Sequence, residues 1–237
     1  MTKLKSIIIM KKELMSYFTT PIAYIVIVVF LAVTGWFFFS PFFINSQAEL
    51  RGFFQLLPIM LAFVIPAISM RLFSEEKNTG SFEIIMTLPV STYDVVIGKF
   101  LAASTFTVLM LLPTIFYPIS ILFITESIDF GPIIGGYIGI LFLGGAFSSI
   151  GVFASSLTKN QIIAFMIALV ICLFLTLIDK FLFFLPNYLL TFFEYLGADF
   201  HFRNISRGII DSRDIIYFIS ITIIGIIGTV QILEERR

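Results

Sequence analysis

The sequence predicts an all-α integral membrane protein with six transmembrane helices, built as one domain over residues 1–237. Two observations carry this. Hydrophobic residues make up 59% of the chain and charged residues 13%, with a mean hydropathy of +1.05. A soluble domain holds roughly 45–50% apolar and about 25% charged residues. The apolar residues also fall into six runs long enough to span a bilayer, separated by polar stretches. Net formal charge is zero, which gives no pointer to nucleic acid. Cys172 sits inside an apolar run, so neither a disulfide nor a Cys–His metal set is expected.

The chain begins MTKLKSIIIMKKELMSYF, where Lys3, Lys5, Lys11 and Lys12 are interleaved with Leu4, Ile7, Ile8, Leu14 and Met15. Residues 1–18 read either as an amphipathic helix lying in the membrane interface or as a basic flank of the first span. No small-residue cleavage site follows a short apolar core, so a removed signal peptide is not expected. The first span is placed at residues 21–39, with Trp36 as an interfacial anchor. The second covers residues 53–70, and Pro58 and Pro66 within it predict kinks.

Residues 70–99 form the longest polar interruption in the first half of the chain, and 71–92 within it read as the loop between the second and third spans. Residues 82–88 inside it read as a short amphipathic helix. Thr79, Gly80 and Ser81 precede it as capping residues, and Pro89 stops it. Ser91 and Asp94 then form a capping box that starts the third span, residues 93–123. Pro113 and Pro118 break or tilt its second half.

The fourth span, residues 133–155, is rich in small residues. Gly135 and Gly139, Gly144 and Ser148, and Gly151 and Ser155 are each four apart. Such spacing lets helix backbones approach closely, either within the chain or across a seam between two copies. The fifth span covers residues 162–178 and the sixth residues 215–233. Between them, residues 186–214 form a second polar stretch with His201, Arg203, Arg207 and Asp211. Asp211 or Ser212 is expected to cap the sixth helix, with Asp214 at its positive end. Arg203, Arg207 and Arg213 are expected to pair with Asp199, Asp211 and Asp214, with a substrate site as the alternative.

Lysine and arginine set the orientation. Ten lie in the two termini and the second and fourth connections, and five in the others. The termini and residues 71–92 are therefore expected to be cytoplasmic, and residues 186–214 extracytoplasmic. Catalytic residues are not expected. A phosphate-binding Gly-x-x-x-x-Gly-Lys-Ser/Thr loop is missing: before Gly98-Lys99, residue 93 is Tyr. The spans are read as free of deep charge, unlike carriers that bind a driving ion on an intramembrane ionisable group. On the central helix, Phe82, Ile85, Met86 and Pro89 can form an apolar face for a partner's groove. Glu75, Glu76 and Glu83 can pair with basic residues around that groove. A plain interfacial helix is the alternative.

Several stretches carry a family resemblance: Tyr17-Phe18-x-x-Pro21-Ile22-Ala23-Tyr24, residues 71–91, Gly98-Lys99, residues 153–161 and residues 206–211. Together they resemble the ABC-2-type transporter permeases, most closely the gliding-motility-associated branch. The resemblance implies a type V exporter-like permease fold in the bacterial inner membrane. It implies two copies of a cytoplasmic ABC ATPase that bind ATP and Mg, with no cofactor in this chain. A second permease copy or paralogue is also implied, as is a companion membrane protein with a large extracytoplasmic domain. ATPase coupling would fall to Arg71, Glu75, Glu76, Thr79, Gly80, Phe82, Glu83, Ile85, Met86 and Pro89. The function implied is export or extracytoplasmic work. The alternatives are a mechanical scaffold driven by the ATPase and an ATP-independent carrier or channel.

Overall fold

In lipid a backbone must satisfy its own N–H and C=O groups, so apolar runs of this length fold as helices. The computed structural model describes residues 2–45, 50–87, 89–122, 130–184, 187–209 and 211–235, and they hold helices and turns with no strand. In chain order the helices are α1 (Thr2–Thr19), α2 (Pro21–Asn45), α3 (Arg51–Ser69), α4 (Arg71–Thr79), α5 (Ser81–Thr87) and α6 (Thr92–Leu111). Then come α7 (Phe116–Leu122), α8 (Phe130–Leu157), α9 (Gln161–Leu177), α10 (Asn187–Leu196), α11 (Ala198–Ser206) and α12 (Ser212–Glu235). Six stretches are long and apolar enough to cross a membrane: Pro21–Ser40, Arg51–Thr79, Thr92–Ile121, Phe130–Leu157, Gln161–Phe181 and Ser212–Glu235. Alternating spans put α1, α4, α5 and the end of α12 at one end of the bundle, here the terminal end. Helices α10 and α11 lie at the opposite, distal end.

The second span does not stop at Met70 as the sequence suggests. After one turn residue the helix resumes as α4 and runs to Thr79. Leu72 and Phe73 remain buried, so the apolar stripe continues past the first charged residue. Met70 offers no side-chain cap, and Ser155 of α8 substitutes for one. Its Oγ accepts the N–H groups of Phe73 (2.9 Å) and Ser74 (3.1 Å) and donates to the Met70 carbonyl (2.8 Å). Helix α3 passes through Pro58 and Pro66, and its interruption falls one turn after Pro66. In the third span the break at Pro113 is a 3-10 turn, Leu112–Ile115, between α6 and α7.

Helix α8 is the hub, packing against α3, α9, α11 and α12. The hydrophobic effect adds little between helices in lipid, so close packing and hydrogen bonds hold the bundle. The small residues of α8 serve this within the chain. A Cβ on Gly135 would run into the Ile205 carbonyl of α11, and one on Gly139 would meet the Phe202 ring at 3.0 Å. Gly144 lies against Thr107 of α6, Gly151 against Ser69 of α3, and Ser148 is fully buried. The core has two parts. Phe30, Phe53, Leu57, Phe147, Phe202 and Phe218 belong to one, and Tyr17, Ile68, Phe73, Phe106, Val230 and Leu233 to the other.

Candidate functional site: the helix–turn–helix between the second and third spans

Helix α4 ends at Gly80, whose φ of +75° is the left-handed conformation that L side chains rarely adopt. Gly80 is thus the stop of α4, whereas the sequence reading had it cap the following helix. Thr79 Oγ1 donates to the Glu75 carbonyl at 3.0 Å and lies 2.8 Å from Ser81 Oγ, which closes the turn. Helix α5 follows at once and occupies Ser81–Thr87, close to the expected 82–88. Ser91 starts α6 with a capping box: its Oγ accepts the Asp94 N–H at 3.1 Å, and Asp94 accepts the Ser91 N–H at 3.3 Å.

One side of α5 packs on its own chain. The Phe82 ring meets Phe73 edge-on at 6.2 Å, and Lys77 Nζ sits 5.5 Å above it. Lys77 is itself buried and donates to the Ser156 carbonyl. Phe82 is therefore half-buried against its own chain, on the side away from Ile84. The outward side carries Glu83, Ile84 and Thr87, with Pro89 beyond, and Ile84 is 67% exposed. Sequence reading passed over Ile84. The side chains of Ile85 and Met86, and all of Leu88, lie outside the described residues. Glu75 is exposed. Arg71 lies 4.8 Å over the Tyr17 ring and donates to the Ser16 carbonyl at 3.4 Å, tying α4 to α1.

Glu76 differs from Glu75. Its carboxylate meets Lys99 Nζ at 2.8 Å, and Glu13 of α1 meets the same ammonium at 3.0 Å. Lys99 is 1% exposed; it also donates to the Leu72 carbonyl at 2.5 Å and lies 5.0 Å over the Phe73 ring. Three segments far apart in sequence are joined at one buried cation. Gly98 beside it lets α1 come close: a Cβ there would sit 2.8 Å from Ile9 and 2.9 Å from the Ser6 carbonyl. The Gly98-Lys99 pair is thus a packing and pairing device in mid-helix. Glu76 is not available to a partner's basic groove, because Lys99 already holds it. Glu76 and Lys99 fall within the second and third candidate spans, each near the span's terminal end.

Beside this junction lies a half-open cavity of about 260 Å³ between α1, α4 and α6. Lys5, Ile8, Ile9, Lys12, Val90 and Val95 form most of its wall, with Glu13, Glu76 and Lys99 beneath. Its exposed surface is almost wholly apolar.

The distal end has its own polar cluster. His201 Nδ1 lies 2.6 Å from Asp214 Oδ1 and Nε2 lies 2.9 Å from the Tyr195 carbonyl. Both partners are acceptors, so each ring nitrogen faces one of them. The ring stacks on Tyr217 at 4.0 Å. Arg203 pairs with Asp179 and, at 3.5 Å, with Asp199. Burial raises the Asp199 carboxyl above the usual range, and the neighbouring Asp179 charge raises it further. The expected pairings hold for Arg203 with Asp199 only. Asp214 takes His201, and Asp211 caps α12 by accepting the Arg213 N–H at 3.0 Å. Arg207 and Arg213 are exposed, and Arg213 reaches the Tyr195 hydroxyl at 3.4 Å. Among the described residues no group of three His, Cys, Asp or Glu could hold a metal ion.

Six candidate spans and a structured helix–turn–helix between the second and third define a multi-pass helical membrane protein. A family model described as ABC-2 family transporter protein matches residues 5–197. The chain belongs to that family, and is the membrane permease component of an ABC transporter rather than its ATPase. No curated protein matches the chain.

Proposed function

We propose that α5 is the coupling helix through which a separate cytoplasmic ATPase drives this permease. The observation that carries the reading is the division of α5. Phe82 anchors it to α4 through Phe73 and Lys77, while Ile84 and Glu83 are presented outward. Glu75, on the preceding turn, is the exposed acid beside it. A push on α5 passes through Phe82 into α4, and from α4 through Glu76 and Lys99 into α6 and α1. The second and third spans would then move with the ATPase.

The basic residues support termini on the cytoplasmic side of a bacterial inner membrane, where α5 would meet a cytoplasmic ATPase. Two ATPase copies bearing ATP and Mg, a second permease, and a companion protein at the distal end complete the proposed assembly. Membership of the gliding-motility-associated branch belongs to the same reading. In Ile84→Asp a charge would enter the partner's groove, where burying it unpaired costs several kcal/mol. The ATPase should then be lost from purified membrane complexes, with the permease still folded. Retention of the ATPase with unchanged activity would refute α5 as the contact.

A further inference from the structure

Lys5, Ile8, Ile9 and Lys12 fall at i, i+3, i+4 and i+7 along α1, one face of that helix, and all four line the 260 Å³ cavity. The face therefore reads cation, apolar, apolar, cation. Val90 and Val95 supply the opposite apolar wall. The acids nearby are already engaged: Glu13 and Glu76 both turn to the buried Lys99. Lys12 lies 3.8 Å from each of these carboxylates with its side chain 65% exposed. Lys5 donates to the Pro89 carbonyl, and the Asp94 carboxylate at the start of α6 also acts on it. Lys11, on the same helix, is exposed. The rim thus carries the ammonium groups of Lys5 and Lys12 above an apolar wall. Ile7, Ile8 and Met15, exposed along α1, continue the apolar surface away from the cavity.

We infer that this cleft binds one anionic phospholipid, an acyl chain lying between Ile8, Ile9, Val90 and Val95 and the phosphate between Lys5 and Lys12. An apolar wall excludes a free polyanion, and a positive rim favours an anionic headgroup over a zwitterionic one. The bound lipid would wedge α1 against α6 next to the Lys99 junction.

The test uses the full chain in nanodiscs of phosphatidylcholine and phosphatidylglycerol, with native mass spectrometry of the lipid retained on release. Wild type is expected to retain one phosphatidylglycerol in preference to phosphatidylcholine. Lys5→Ala with Lys12→Ala should cut that preference about thirtyfold, which is about 2 kcal/mol at roughly 1 kcal/mol per interfacial lysine. Ile8→Asp, at a 60% exposed position, should also release the lipid. Lys159→Ala, at a basic position distant in sequence from the cleft, should change nothing. An equal ratio in wild type and the double variant overturns the proposal. So does an equal loss in Lys159→Ala, which would reduce the effect to overall charge. The ATPase is absent from this experiment, so its outcome is separate from that of the coupling helix.

Discussion

Two buried polar clusters sit at opposite ends of this bundle, and they are built differently. At the terminal end, Lys99 joins Glu13 and Glu76, residues drawn from α1, α4 and α6, beside a cavity. At the distal end, His201, Asp214, Arg203, Asp199 and Asp179 lie within about one-sixth of the chain and link α11 to its sequence neighbours. Among the described residues, the first cluster is a buried ionic point at which α4 meets both α6 and α1. The second fixes a local fold. A cavity lies beside the first, whereas the His201 ring is packed on Tyr217.

The sharpest way to break this contrast is to remove each centre in turn. Lys99→Met leaves two largely buried carboxylates without their shared cation, and removing one partner of a buried pair costs about 3–5 kcal/mol. His201→Gln gives up contact with one of the two acceptors the ring now meets, a cost of about 1–3 kcal/mol. Thermal unfolding in detergent should rank Lys99→Met below His201→Gln. The reverse order would make the distal cluster the main ionic support.

A second variant sharpens the account of packing. Gly135→Ala drives a methyl into the Ile205 backbone carbonyl, which cannot rotate away as a side chain can. Overpacking of this kind costs about 1–3 kcal/mol. Gly145→Ala, on the same helix with open space at its Cβ, should be neutral or mildly stabilising. Equal stability of the two variants would mean that α11 does not sit on α8 as described.

The smallest effect concerns pH. Asp199 has a raised carboxyl in the folded protein, so its contribution to stability is fully present below the unfolded Asp range. It is lost as pH rises through the raised folded value. Asp199→Asn should therefore flatten the pH dependence and raise stability on the alkaline side of that window. A variant less stable than wild type there would show that the Arg203 pairing outweighs burial.

The spans were legible because apolar length is nearly sufficient to specify a membrane helix. The start of α6 was legible too, since Ser91 and Asp94 are a local signal. The continuation through Arg71–Thr79 was not, because its support comes from Ser155, 82 residues from Phe73. Lys99 had a trace in the sequence, a lone lysine between Ile97 and Phe100 in an apolar run with Gly98 beside it. Its partners Glu13 and Glu76 could not be read, because pairing across 86 and 23 residues is set by tertiary packing. The amphipathic pattern allowed Phe82 an outward face or an interfacial one, and the family resemblance favoured the outward one. The pattern shows that a helix has two faces, and only the Phe73 and Lys77 contacts show which face belongs to the chain itself.

The central claim is that the outward face of α5 meets an ATPase, and site-specific photocrosslinking tests it most directly. A photoreactive residue at position 84, introduced in intact cells, is predicted to crosslink to a cytoplasmic ATPase subunit. The same residue at position 216, on an exposed apolar face of α12, should not. Crosslinks from position 84 to lipid alone, or to an extracytoplasmic protein, would contradict the account.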